Sequence, residues 1–181
     1  LDPGKMKVYL MQSVIEARNK KPEAAAAALE EGIKANPKAT ALYVARARLA
    51  EELKQLDQAE VFLKKAEEIS PEEPGLQDAL ARLYIMKNEW DKAEKALRRR
   101  MALQPDKDEP AAALARFFAA RGNFEDGLKV LKDFSDKHPD NVQAKFSLAN
   151  FYLAHRKFGP GERLLQSIAA QDPTGPNGLR A

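Results

Sequence analysis

The 181-residue chain has no cysteine. Disulfides, thiolate nucleophiles and cysteine-held metals are therefore excluded, and the redox state of its compartment stays open. Only two histidines occur, His138 beside Pro139 and His155 at a helix end, with no second histidine close enough in sequence to suggest a metal pair. Charge of one sign is also lacking, since 30 basic against 27 acidic residues leave +3. That is a mixed, solvated surface rather than the concentrated positive field of a dedicated nucleic-acid binder. No apolar run approaches the roughly 18 residues needed to cross a bilayer. Phosphate-cradling glycine loops, nucleophile elbows and histidine–glutamate zinc motifs are all missing, and the carboxylates are scattered over helix surfaces. No enzymatic activity, cofactor or metal is expected.

The residues that are present favour helices. Ala, Leu, Lys, Glu and Arg dominate, and such side chains lose little freedom on a helix. A hydrophobic share of 44% suffices for a core, while 11 prolines and 9 glycines require the helices to be punctuated. The punctuation is periodic. Pro3, Pro37, Pro71, Pro105, Pro139 and Pro173 each follow the last by 34 residues. The same step carries Leu29, Leu63, Leu97, Leu131 and Leu165, the small residues Ser13, Ala47, Ala81, Ala115 and Ala149, and a second small column, Ala25, Ala59, Ala93, Gly127 and Gly161. A bulky column runs through Leu56, Trp90, Phe124 and Phe158, with Pro22 as its odd first member.

Within a repeat the apolar spacing is helical. Leu76, Leu80, Leu83 and Tyr84 precede a break at Asn88, and Trp90, Ala93, Leu97 and Met101 follow it. Arg121-Gly122-Asn123 is the equivalent break one unit later. Asp57, Asp91 and Asp126 fall near the start of second helices, where a carboxylate suits exposed amides. Proline then ends each second helix. Each unit is thus two antiparallel helices whose small columns let the backbones approach, while leucines and aromatics fill the remaining space. A lone pair leaves a face bare, so the units must stack.

With this step and these columns the chain resembles the tetratricopeptide repeat family. The third unit is nearest the family pattern, through Leu80, Ala81, Tyr84, Trp90, Ala93 and Leu97. The resemblance implies an all-α, right-handed superhelical solenoid with five units at 6–39, 40–73, 74–107, 108–141 and 142–175. Residues 1–5 would then be the tail of a preceding unit and 176–181 the truncated start of a following one, as in a piece of a longer array. Composition leans bacterial. Gln12 and Arg46 replace a family leucine, and Arg100 and Phe134 a family alanine. Gly159-Pro160-Gly161 is expected to delay the last helix.

The resemblance also implies a concave groove lined by the first helices. Its columns here are Val14, Arg48, Arg82, Arg116 and Asn150; Leu10, Val44, Asp78, Ala112 and Phe146; Met11, Ala45, Ala79, Ala113 and Ser147; and Ala17, Glu51, Ile85, Ala119 and Leu153. Three arginines recurring once per unit suit carboxylates or phosphates, and the alanines leave a smooth floor for a peptide. The plain alternative is surface pairing, of Arg48 with Glu51 or Glu52 and of Arg82 with Asp78. Arg116 has no acidic neighbour on its own helix, which makes it the leading candidate for a ligand contact. Leu10, Met11 and Val14 form an apolar cluster that serves either as a contact or as the seat of a preceding unit. The lysine–asparagine clamp of chaperone-binding family members is absent, because Leu10 and Val14 occupy its columns.

The strongest basic cluster is Arg98-Arg99-Arg100 with Lys92 and Lys95, on a second helix away from the groove, where Glu94 can pair with Arg98. The function expected is a non-enzymatic protein–protein interaction scaffold holding an acidic or amphipathic peptide of a partner. The alternative is an architectural spacer or oligomerisation module in a larger assembly, such as one serving an envelope or polymer export. Nucleic-acid binding ranks third, because Ala, Ile and Leu columns do not read bases. Partner identity, process, compartment and oligomeric state are not encoded in these patterns.

Overall fold

A computed structural model describes the backbone of residues 3–171 and the side chains of 5–170. Pro173 and the expected further unit at 176–181 lie outside the described residues, as do Leu1 and Asp2. Among the described residues there are ten helices and no strand: α1 (Pro3–Arg18), α2 (Pro22–Ala35), α3 (Thr40–Glu52), α4 (Leu56–Ile69), α5 (Pro74–Met86), α6 (Trp90–Leu103), α7 (Asp108–Ala120), α8 (Phe124–Lys137), α9 (Val142–Ala154) and α10 (Phe158–Gln171). The fold is all-α. The chain forms two compact units, the first ending at Leu103 with α1–α6, the second beginning at Gln104 with α7–α10.

One turn joins the two helices of every pair. Lys20, Lys54, Asn88, Gly122 and Arg156 recur at the 34-residue step, and all have left-handed φ between 58° and 82°. Each turn carries the same two hydrogen bonds. In the second pair the Lys54 amide donates to the Glu51 carbonyl (3.0 Å) and the Gln55 amide to the Ala50 carbonyl (2.8 Å). This is the Schellman closure, which satisfies the last carbonyls of a helix with a single left-handed residue.

A second turn leads from each second helix to the next first helix. Pro37, Pro71, Pro105 and Pro139 sit second in four-residue turns that close from Ala39 to Asn36 (3.0 Å), Glu73 to Ser70 (3.3 Å), Lys107 to Gln104 (3.2 Å) and Asn141 to His138 (3.0 Å). Proline's fixed φ is preset for that place. Pro3 differs, because it opens α1 instead of ending a helix, a position that needs no amide donor.

Packing follows the columns. In the first unit α2 lies against α1 and α3, and α4 against α3 and α5. Leu29, Leu63 and Leu131 are all but inaccessible, as are Ala25, Ala59 and Ala93. Leu165, in the last pair, is only half-buried. The expected delay of the last helix does not occur, for α10 starts at Phe158 in register with its counterparts. Pro160 is the third residue of that helix, where an amide has no intrahelical acceptor, so its missing N–H disturbs nothing.

Three of the four departures from the repeat pattern, Arg46, Arg100 and Phe134, are accommodated inside. Arg46 is buried, reaches Glu30 on α2 (3.2 Å) and lies over the Phe62 ring at 4.8 Å. Arg100 is buried too, with Nε donating to Asp78 at 2.7 Å. Phe134 is buried with its ring centroid 4.4 Å from that of His138. Gln12 remains exposed.

Candidate peptide-binding surface

The first unit places α3 between α1 and α5. A groove of about 800 Å³ opens over these three helices. Its floor is apolar: Val14 and Ala17 from α1, Ala41, Val44, Ala45 and Leu49 from α3, and Leu76 from α5, with Leu29 of α2 at the bottom. Arg18, Arg48, Glu52 and Glu73 stand at its rim. The floor is shallow because residues 17, 41 and 45 are alanines. Helices at ordinary spacing with methyl side chains between them leave room that leucines would fill.

Val14 and Arg48 share this groove, the latter with an exposed side chain held at 3.4 Å by Glu52 one turn ahead. Arg82 is exposed as well, but the expected pairing with Asp78 does not form. Arg82 donates to Glu51 of the preceding pair at 3.0 Å, and Asp78 instead receives Arg100. Glu51 is buried, so this pair ties α5 to α3. Leu10 is half-buried against the core cluster of Ala25, Leu29, Leu42 and Leu49. Met11 is 67% exposed and, like Leu10, does not line the groove. Met11, Val8 and Ile15 together form an exposed apolar stripe on α1.

The second unit sets α7 beside α9. Arg116 on α7 and Asn150 on α9 are exposed, and Phe146 is half-buried. Arg116 forms no ion pair or hydrogen bond among the described residues, in contrast to Arg48 and Arg82. Ala112, Ala113 and Ala119 around it are half-buried. The Ser147 hydroxyl donates to Asp108 at 2.8 Å, fixing α9 to the start of α7.

Opposite in character is the face made by α4 and α6, where a cavity of about 550 Å³ lies over Gln77, Leu80 and Tyr84 of α5. Many of its charges are mutually engaged, whereas Lys95 and Arg99 form no ion pair among the described residues. Lys87 is bound by Glu60, by Asp57 (2.9 Å) and by Glu89 (3.3 Å), and Lys92 by Glu89 (2.6 Å). The hydrogen bond from Lys87 holds the Glu60 carboxyl below its usual range, against the opposing effect of burial. Lys87 is shifted up by its bond to Glu60 and then by that to Asp57. The basic cluster foreseen on α6 is in large part absorbed here: Arg98 pairs with Glu94 at 2.8 Å and Arg100 with Asp78. This face reads as an ionic tie between neighbouring pairs.

Sequence reasoning did not single out Arg18 and Glu73. Arg18 shares its repeat position with Glu52, and Glu73 precedes α5. Comparing those two columns for a reversal of charge was the available signal. Among the described residues no helix is long and apolar enough to cross a membrane, and no acidic or histidine cluster could hold a metal ion.

Family models described as tetratricopeptide repeat match residues 54–117, 118–181 and 10–74. No curated protein sequence matches the chain. Solved structures resemble it in fold. A Podosopora anserina putative kinesin light chain with nearly identical TPR-like repeats aligns over 96% of this chain and 98% of its own, at 18% identity and TM-score 0.63. The MamA protein aligns over 94% and 97%, at 15% identity and TM-score 0.61. YrrB, described as a TPR protein with an unusual peptide-binding site, aligns over 93% and 87%, at 15% identity and TM-score 0.55.

Proposed function

The chain belongs to the tetratricopeptide repeat family, and from that premise we propose that it is a non-enzymatic scaffold that binds a peptide segment of a protein partner on the face of its first helices. The observation that carries this reading is the apolar groove over α1, α3 and α5, floored by alanines and valines and rimmed by charge. Binding there buries apolar surface while the rim fixes orientation, which is the usual division of labour in a recognition groove. The peptide-binding site named for YrrB supports the reading by likeness of fold. In the second unit, Arg116 with Asn150 and Phe146 offers a further contact, since its guanidinium is uncommitted among the described residues.

The test is selection of displayed random dodecapeptides on the immobilised chain, followed by competition among synthetic copies. Selected peptides should lose binding to the Val44→Asp variant, with helical content by circular dichroism unchanged. Failure to select any peptide, or selection of peptides indifferent to Val44→Asp and Arg116→Glu alike, would remove the reading.

One observation favours a second role. Val8, Met11 and Ile15 are 60%, 67% and 54% exposed along one stripe of α1. The register partners of Val8 and Ile15, Leu42 and Leu49, are buried against the preceding pair, and that of Met11, Ala45, is half-buried. That stripe suits an architectural or oligomerising contact with another helix. Light scattering over a concentration series checks it: growth in mass abolished by Met11→Lys supports self-association, and a constant monomer mass excludes it.

A further inference from the structure

The groove of the first unit also carries information on what it selects, and this inference rests on the peptide-binding reading above. Of its four rim charges, Arg48 and Glu52 neutralise each other at 3.4 Å. Arg18 and Glu73 line the same groove, and neither side chain has a hydrogen bond or ion pair among the described residues. They stand at opposite corners. Arg18 ends α1, whereas Glu73 immediately precedes α5. Two helix spacings of about 9 Å separate α1 from α5. The two ends differ by roughly 18 Å along the helix direction. The diagonal is therefore about 25 Å, the reach of about seven extended residues.

Between these corners lie Val14, Ala17, Val44, Ala45 and Leu49, with the buried Ser13 beside them. The Ser13 hydroxyl donates to the Leu10 carbonyl at 2.8 Å and the others have no polar side chain, so a polar group seated there would lose water with little replacement. We propose that this groove selects an extended segment with an aliphatic side chain at its centre, a carboxylate toward Arg18 and a basic group toward Glu73. Alanine at 17 and 45 sets the depth available to the aliphatic group. The two lone charges set chain direction, because reversing the segment brings like charges together at both corners. A uniformly acidic segment fits poorly, since Glu52 and Glu73 share the rim with the two arginines.

The probe is the consensus dodecapeptide selected on the intact chain, synthesised and titrated by fluorescence anisotropy. An aliphatic residue flanked by an acidic residue on one side and a basic one on the other is expected. Arg18→Glu and Glu73→Lys, both at exposed sites, should each weaken that peptide about tenfold, and the double variant should recover binding to a peptide with its end charges exchanged. Ala45→Phe should abolish binding by filling the floor. A purely acidic consensus that depends on Arg116 and ignores Ala45→Phe and the charge exchange would overturn this inference while leaving peptide binding intact. Absence of any selected peptide would overturn both.

Discussion

The two units use one helix-pair plan with different core chemistry. In the first, the small column holds Ala25 and Ala59, and the positions 24 residues later are Leu49 and Leu83, both buried. In the second, Gly127 replaces the alanine and Phe151 the leucine. A methyl group built on Gly127 would lie 2.8 Å from the Phe151 ring and 2.7 Å from the Ala115 carbonyl oxygen. The missing methyl makes space for the larger ring, which stacks on Phe124 at 5.2 Å and meets His155 at 4.5 Å. At this crossing a missing methyl is matched by a larger neighbouring ring. The arginine column differs in parallel: Arg48 and Arg82 of the first unit are paired, and Arg116 of the second is not among the described residues.

Truncation along the leucine column should do the most damage, and to different degrees along its length. Leu63→Ala and Leu131→Ala should each cost about 2–5 kcal/mol, because both side chains are fully enclosed. Leu165→Ala, at a half-buried position, should cost clearly less. Urea unfolding of the three variants checks the order, and equal losses would mean that stacking does not set the cost.

Next comes the exchange between the two core types. Gly127→Ala should destabilise by about 1–3 kcal/mol through overpacking, and adding Phe151→Leu should recover part of it. The pair is read by a double-mutant cycle. Additive losses would break the claim that the two residues compensate each other.

The left-handed turns give a smaller contrast. Lys54 adopts φ 62° and Gly122 φ 82°. Because a side chain in that region costs on the order of 1 kcal/mol, Lys54→Gly should raise the first unit's stability slightly. Gly122→Ala should lower the second's by a similar amount. Melting temperatures of opposite shift are the expected result.

The smallest effect is present at neutral pH and fades in acid. The Glu60 carboxyl is held low by its bond from Lys87. A carboxyl lowered in the folded state adds stability that is present above its unfolded pKa and is lost as pH falls through its folded value. Glu60→Gln should therefore be less stable than the parent at neutral pH, with the difference shrinking below the ordinary carboxylate range. Chemical unfolding at a series of pH values measures this, and a pH-independent difference would assign the loss to packing.

Period, helix pairing and core columns were legible in the sequence because each depends on residues a fixed step apart. Several features were not. Lysine and arginine in left-handed turns leave no chemical mark, so Lys20, Lys54 and Arg156 were hidden beside the more telling Asn88 and Gly122. The Arg82–Glu51 and Arg100–Asp78 pairs join different helices, and their choice over the local Arg82–Asp78 pair depends on how those helices are rotated. Buried arginine at position 46 needed both Glu30 and the Phe62 ring. Gly159-Pro160-Gly161 suggested a break by composition, yet its proline falls where a helix start tolerates it. On the groove face, Val14 and Arg48 line one groove, whereas Leu10 supports the core and Met11 is exposed.

Amide hydrogen exchange of the full chain, with and without a selected peptide, shows which face a ligand covers. Slowed exchange should concentrate on α1 and α3, with α4 and α6 unchanged. Protection confined to the ion-paired face of α4 and α6 would contradict binding in the groove.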